Sequence, residues 1–162
     1  MILVDTSIWI DHLHRPEPAL VSLLSSSRVA QHPMVIGELA MGSLRRREEF
    51  LGLLVNLPRV AVADNDEVRA FVDHHHLHGR GLGLVDAHLL AAVHLTPGTS
   101  LWTRDNRLRV AAAELHVAHV PAPSGANAGP GGSESSGSQA AQGSGIDRGP
   151  IRPRLESAGC LT

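Results

Sequence analysis

Met1-Ile2-Leu3-Val4 is a short apolar run closed by Asp5, and Ser100-Leu101-Trp102-Thr103 is a second such run, followed by Asp105. Short runs with no polar alternation are the pattern of strands buried on both faces of a parallel sheet. An acid at the end of each therefore falls at the edge where open α/β sheets bind ligands. Two further acids, Glu38 and Asp86, interrupt apolar helical segments, Met34-Val35-Ile36-Gly37-Glu38-Leu39-Ala40 and Leu84-Val85-Asp86-Ala87-His88-Leu89-Leu90-Ala91-Ala92. A bare carboxylate is costly to bury, so each needs a cation, a donor or water.

Outward from these runs the chain alternates strand and helix. Strands are predicted over residues 2 to 5, 28 to 31, 59 to 62, 101 to 102 and 117 to 120. Helices are predicted over 7 to 13, 18 to 26, from Pro33 onward, 46 to 54, from an Asp64 cap to His76, 84 to 94 and 106 to 114. Pro33 stands where a helix tolerates proline best, Asp64 is a suitable N-cap, and Gly79, Gly81 and Gly83 mark the loop before Leu84. Alternation of this kind implies an α/β fold, a parallel sheet flanked by helices on both faces.

The composition changes near Pro121. Beyond it come Pro121-Ala122-Pro123-Ser124-Gly125 and Gly129-Pro130-Gly131-Gly132-Ser133, then a long Ser/Gly/Gln/Ala stretch without periodicity. Such a segment buries too little apolar surface to offset the entropy of ordering it. Residues 1 to 120 are expected to be the folded domain and 121 to 162 a disordered tail.

Of the 162 residues 43% are hydrophobic, enough for one domain with its own core. No apolar run reaches bilayer length, the N-terminus has no leader pattern, and the single cysteine, Cys160, permits no internal disulfide and no thiolate metal site. The expected compartment is the cytoplasm, with no membrane partner. The net charge is −2, which excludes a uniformly basic nucleic-acid binder, and 2% aromatic residues leave little to stack bases on. Any nucleic-acid contact must come from local patches or through metal.

Converging carboxylates suit exactly such a metal. Mg²⁺ and Mn²⁺ take hard oxygen ligands, and two such ions about 3.5–4 Å apart can activate water and stabilise both oxygens of a displacement at phosphorus. Singly, each acid has a plainer reading as a helix cap or solvated side chain, and Asp64, Asp66, Glu48 and Glu49 are assigned that way. The local settings raise Asp5, Glu38, Asp86 and Asp105 above them: Val4-Asp5-Thr6-Ser7, an apolar helix around Glu38, Val85-Asp86-Ala87-His88, and Thr103-Arg104-Asp105-Asn106-Arg107-Leu108.

At these residues the sequence resembles the PIN domain family, specifically the VapC-type toxins of bacterial toxin–antitoxin pairs. The likeness runs from residue 1 to about 120 and leaves the tail outside. It implies an Mg²⁺-dependent endoribonuclease, with Mn²⁺ as a substitute, often homodimeric and held inactive by a cognate antitoxin. By motif, Asp5, Glu38, Asp86 and Asp105 correspond to the metal-binding catalytic acids, and Thr103 to the hydroxyl residue accompanying the last of them. The aromatic that often follows that acid in the family is missing here.

Weaker features complete the set. Arg45-Arg46-Arg47 and the arginines Arg104, Arg107 and Arg109 around Asp105 are candidate phosphate contacts, although arginine runs are commonly solvated helix faces. Among them Arg45, Arg46, Arg104 and Arg107 are the RNA-binding candidates. His74-His75-His76 and His78 look like ligands, but consecutive helical histidines point in different directions. Ser7 and His88 lack the G-x-S-x-G elbow of a nucleophile and base. The competing functions are a catalytically idle PIN-like binding module for RNA or protein, and a phosphatase of the aspartyl-nucleophile type. Asp5-Thr6-Ser7 lacks the second aspartate that the phosphatase requires.

Overall fold

Three short parallel strands in the order β2-β1-β3 form the centre of the protein: β1 (Ile2–Val4), β2 (Val29–Ala30) and β3 (Ser100–Trp102). The computed structural model describes residues 1–121; the expected tail beyond Pro121, with Cys160, lies outside the described residues. In register, Ile2 pairs with Val29 and Leu3 with Ala30 on one side, and Ile2, Leu3 and Val4 pair with Ser100, Leu101 and Trp102 on the other. Leu3 and Val4 are fully buried, as the unbroken apolar runs require.

The connections are helical: α1 (Thr6–His14) and α2 (Pro18–Ser25) join β1 to β2. α3 (Pro33–Met41), α4 (Arg47–Val55), α5 (Asn65–His74) and α6 (Leu84–Leu95) join β2 to β3, and α7 (Asn106–Glu114) follows β3. The chain moves from β1 to one neighbour and then back across β1 to the other. Right-handed crossovers in opposite directions put helices on both faces of the sheet. The α/β class and its flanking helices are as expected.

Local chemistry sets the helix starts. Asp64 accepts from the amides of Asp66 and Glu67 while the Glu67 carboxylate accepts from the Asp64 amide, a reciprocal capping box. Pro18 and Pro33 each stand in the first turn of their helices. The side chains of Leu20, Leu89, Leu90 and Leu108 fill the core around the sheet.

Two expected strands shrink to single parallel pairs, Gln31 with Arg59 and Leu101 with Ala118. After Val60 the ladder stops because the Ala61 amide donates to the Thr96 hydroxyl at 3.0 Å instead of to a strand. On the other edge Leu101 uses both its backbone groups on Val117 and His119, and β3 ends one residue later. The sheet thus has three strands rather than the five expected. No helix among the described residues is long and apolar enough to cross a membrane.

His32 is a core residue that the sequence did not flag. It is fully buried, and its Nδ1 accepts from the Met34 amide at 3.1 Å, capping α3. Burial, then the neighbouring His88, then Arg59 lower its pKa from 6.5 to about 4. The unfolded chain therefore binds a proton that the folded one refuses. Stability from this group is fully present above pH 6.5 and is lost as pH falls towards 4, to a total of ~3 kcal/mol. Asparagine caps equally well without titrating. Urea unfolding of His32→Asn at several pH values between 7.5 and 4 is expected to show a flatter decline than wild type; parallel curves would refute the assignment.

Candidate active site

Val4 and Trp102 are register partners, so the residues that follow them emerge side by side at the carboxyl edge of the sheet. There the Asp5 amide donates to the Trp102 carbonyl at 2.9 Å, and the Thr103 hydroxyl donates to Asp5 Oδ2 at 2.8 Å. Asp5 is buried and its carboxylate is held by two further donors, the Thr6 amide at 2.7 Å and the Ser7 hydroxyl at 2.6 Å. It thereby caps α1 while its orientation is fixed from three directions.

The same hydroxyls reach onward. Thr103 Oγ1 accepts from the Asp105 amide at 3.0 Å, and Ser7 Oγ accepts from the Arg104 amide at 3.1 Å. Asp105 caps α7 through Oδ1 alone, which takes the Arg107 and Leu108 amides at 2.8 and 2.9 Å. Glu38 approaches from α3, where its Oε2 accepts from the Thr6 hydroxyl at 2.5 Å. It is exposed, so this carboxylate avoids the burial cost expected of it. Asp86, in the first turn of α6, is half-buried and accepts from the Gly83 amide at 2.7 Å.

Asp86 registers the whole cluster. Burial is the largest influence and raises its pKa; the Gly83 amide opposes this, and Asp5, Asp105 and Glu38 each raise it further. Asp86, on α6, therefore lies in the field of the other three acids, which come from the end of β1, from α3 and from the turn after β3. Among the described residues no three His, Cys, Asp or Glu side chains are drawn close enough to close on one ion. Each carboxylate is instead turned onto a protein donor. As a donor set, four carboxylates with hydroxyls and no thiolate or imidazole fit a hard divalent cation such as Mg²⁺.

The arginines fare differently. Arg104 is clamped by Asp11 at 2.5 Å and Glu17 at 2.6 Å, so its guanidinium is already committed within the chain. Arg107 donates to the Gly81 carbonyl at 3.2 Å, and Gly81, at φ +72°, lies so close that a Cβ there would meet that guanidinium at 2.8 Å. Arg46 pairs with Glu49 at 2.7 Å on the surface, and Arg45 is exposed. The structure gives Ser7 and His88 separate partners, Asp5 and Asn65. Thr6 and Ser7, the hydroxyls that hold Glu38 and Asp5, were missed as site residues. Their position immediately after a strand-end acid was the available signal.

The chain belongs to the PIN domain family, whose sequence profile matches residues 2–114. The chain is also 52% identical over 118 residues to proteins named Ribonuclease VapC32 in two strains of Mycobacterium tuberculosis, CDC 1551 / Oshkosh and ATCC 25618 / H37Rv. Each match covers 73% of this chain and 95% of the relative. The resemblance to VapC-type members is thus borne out.

Proposed function

We propose that this protein is an Mg²⁺-dependent endoribonuclease, with Mn²⁺ as a substitute, that acts in the cytoplasm as the toxin of a type II toxin–antitoxin pair. The observation that carries the reading is that Asp86 lies in the field of Asp5, Asp105 and Glu38 near the sheet edge. The name of the mycobacterial relatives supports RNA as the substrate. An idle binding module has no need to keep four mutually repelling acids together.

Asp5, Glu38, Asp86 and Asp105 would hold the cation, which supplies an activated water and charge stabilisation at the scissile phosphate. Asp5 provides the rigid member of the set, since three donors fix its carboxylate before any ligand arrives. Asp86, pushed towards the neutral form, gains most from a cation beside it. Glu38, exposed and held by one hydroxyl, is the member freest to adjust.

Exposed apolar side chains on α1 and α4, Ile10, Leu13 and Leu53, lie beside Arg45 and Arg46. An apolar surface with a basic rim suits a protein partner, and it is where we place the antitoxin. Arg45 and Arg46 then serve the partner as well as, or instead of, RNA.

Chelation tests the metal requirement. Antitoxin-free protein treated with EDTA is expected to lose cleavage of cellular RNA completely and to regain it with Mg²⁺, while Ca²⁺ does not substitute. Cleavage that persists in EDTA would exclude the proposed chemistry.

A further inference from the structure

His75 caps the C-terminal end of α5, and His94 lies in the last turn of α6. Consecutive histidines on one helix cannot converge, but the packing of α5 against α6 supplies a partner from outside the run. The ring centroids of His75 and His94 are 5.1 Å apart with the rings inclined at 68°. Phe71 packs against both, with centroids at 4.5 Å from His75 and 5.4 Å from His94, and so holds the two rings side by side. His74 lies a further 4.7 Å from His75.

We propose that His75 and His94 form an imidazole site for a borderline divalent cation such as Zn²⁺ where the ends of α5 and α6 meet. Two imidazoles on one tetrahedral ion, with metal–nitrogen bonds of about 2.0–2.1 Å, place their ring centres about 5 Å apart. That is the spacing of His75 and His94. Solvent completes the coordination, since two rings rather than three supply the protein ligands. Neutral imidazole is the form that ligates.

This site differs from the acid cluster in both place and chemistry. His94 lies just over two turns beyond Asp86 on α6, about 12 Å along the axis. Mg²⁺ prefers carboxylate oxygens, whereas imidazole pairs favour Zn²⁺, Ni²⁺ and Cu²⁺. A cation here would tie α5 to α6, the helix that carries Asp86.

Calorimetric titration of the full chain with Zn²⁺, in excess Mg²⁺ to saturate the acids, tests the site. His94 is exposed, so His94→Ala removes a ligand without opening the core. Wild type is expected to show one saturable site and a Zn²⁺-dependent rise in melting temperature. His94→Ala and His75→Ala each weaken binding about tenfold or more and abolish that rise, while a His76→Ala/His78→Ala double variant binds as wild type does. Wild-type affinity in His94→Ala, equal loss in the double variant, or no saturable site in wild type would each overturn the proposal.

Discussion

Asp86→Asn is expected to abolish RNA cleavage and, in the absence of divalent metal, to raise the melting temperature. The two effects share one cause. Burial and the fields of Asp5, Asp105 and Glu38 raise the Asp86 pKa, so its charged form is disfavoured in the folded chain. A carboxyl whose folded pKa is raised favours the folded state at low pH and loses that contribution as pH rises through its titration. At neutral pH the charge is therefore a cost, which an amide removes while still accepting from the Gly83 amide. The same charge is what holds a cation. Asp5→Asn differs in one respect: it loses cleavage too, but it also weakens a carboxylate that accepts three hydrogen bonds, at a cost of about 1–3 kcal/mol. Thermal unfolding with and without Mg²⁺ separates the two. Equal melting temperatures for metal-free wild type and Asp86→Asn would break the link between field and function.

The second large effect falls on Thr103→Val. Its hydroxyl donates to Asp5 and accepts from the Asp105 amide, so one buried oxygen sets the spacing of two acids. Valine keeps the volume, removes one of the three donors to Asp5 and leaves the Asp105 amide without its acceptor. Partners that orient a ligand typically change metal affinity or activity by about 10- to 100-fold, and that is the loss expected in cleavage rate. Thr103→Ser keeps the hydroxyl and is expected to retain most of the rate. Equal rates for the valine and serine variants would show that the bridge does not position the acids.

Strong local signals carried most of the fold. The apolar runs before Asp5 and Asp105 became β1 and β3, and the Asn106–Glu114 helix has the bounds expected of it. The runs after Pro58 and His116 read as strands because period and residue type look alike in a strand and in a single paired residue. The reduction of the first depends on Thr96 capturing the Ala61 amide, a contact between distant positions that no local pattern encodes. The acids stood out because Asp5 and Asp105 follow apolar runs and Glu38 and Asp86 interrupt apolar helices. Their anchors did not, since Thr6 and Ser7 are ordinary residues until the Val4–Trp102 register brings Thr103 and Arg104 against them. Arg104 is the reverse case. It lies beside Asp105 in sequence, but Asp11 and Glu17 from α1 and the start of α2 have taken its guanidinium.

Mapping the ends of RNA cut by purified, antitoxin-free protein in Mg²⁺ tests the central claim most directly, because it reads the chemistry of the four acids at the bond they are proposed to break. Wild type is expected to leave discrete cuts with 5′-phosphate and 3′-hydroxyl ends, and Asp5→Asn and Asp86→Asn to leave none. Cuts of equal yield in wild type and both variants, or no cuts by folded, Mg²⁺-loaded wild type on total cellular RNA, would contradict it.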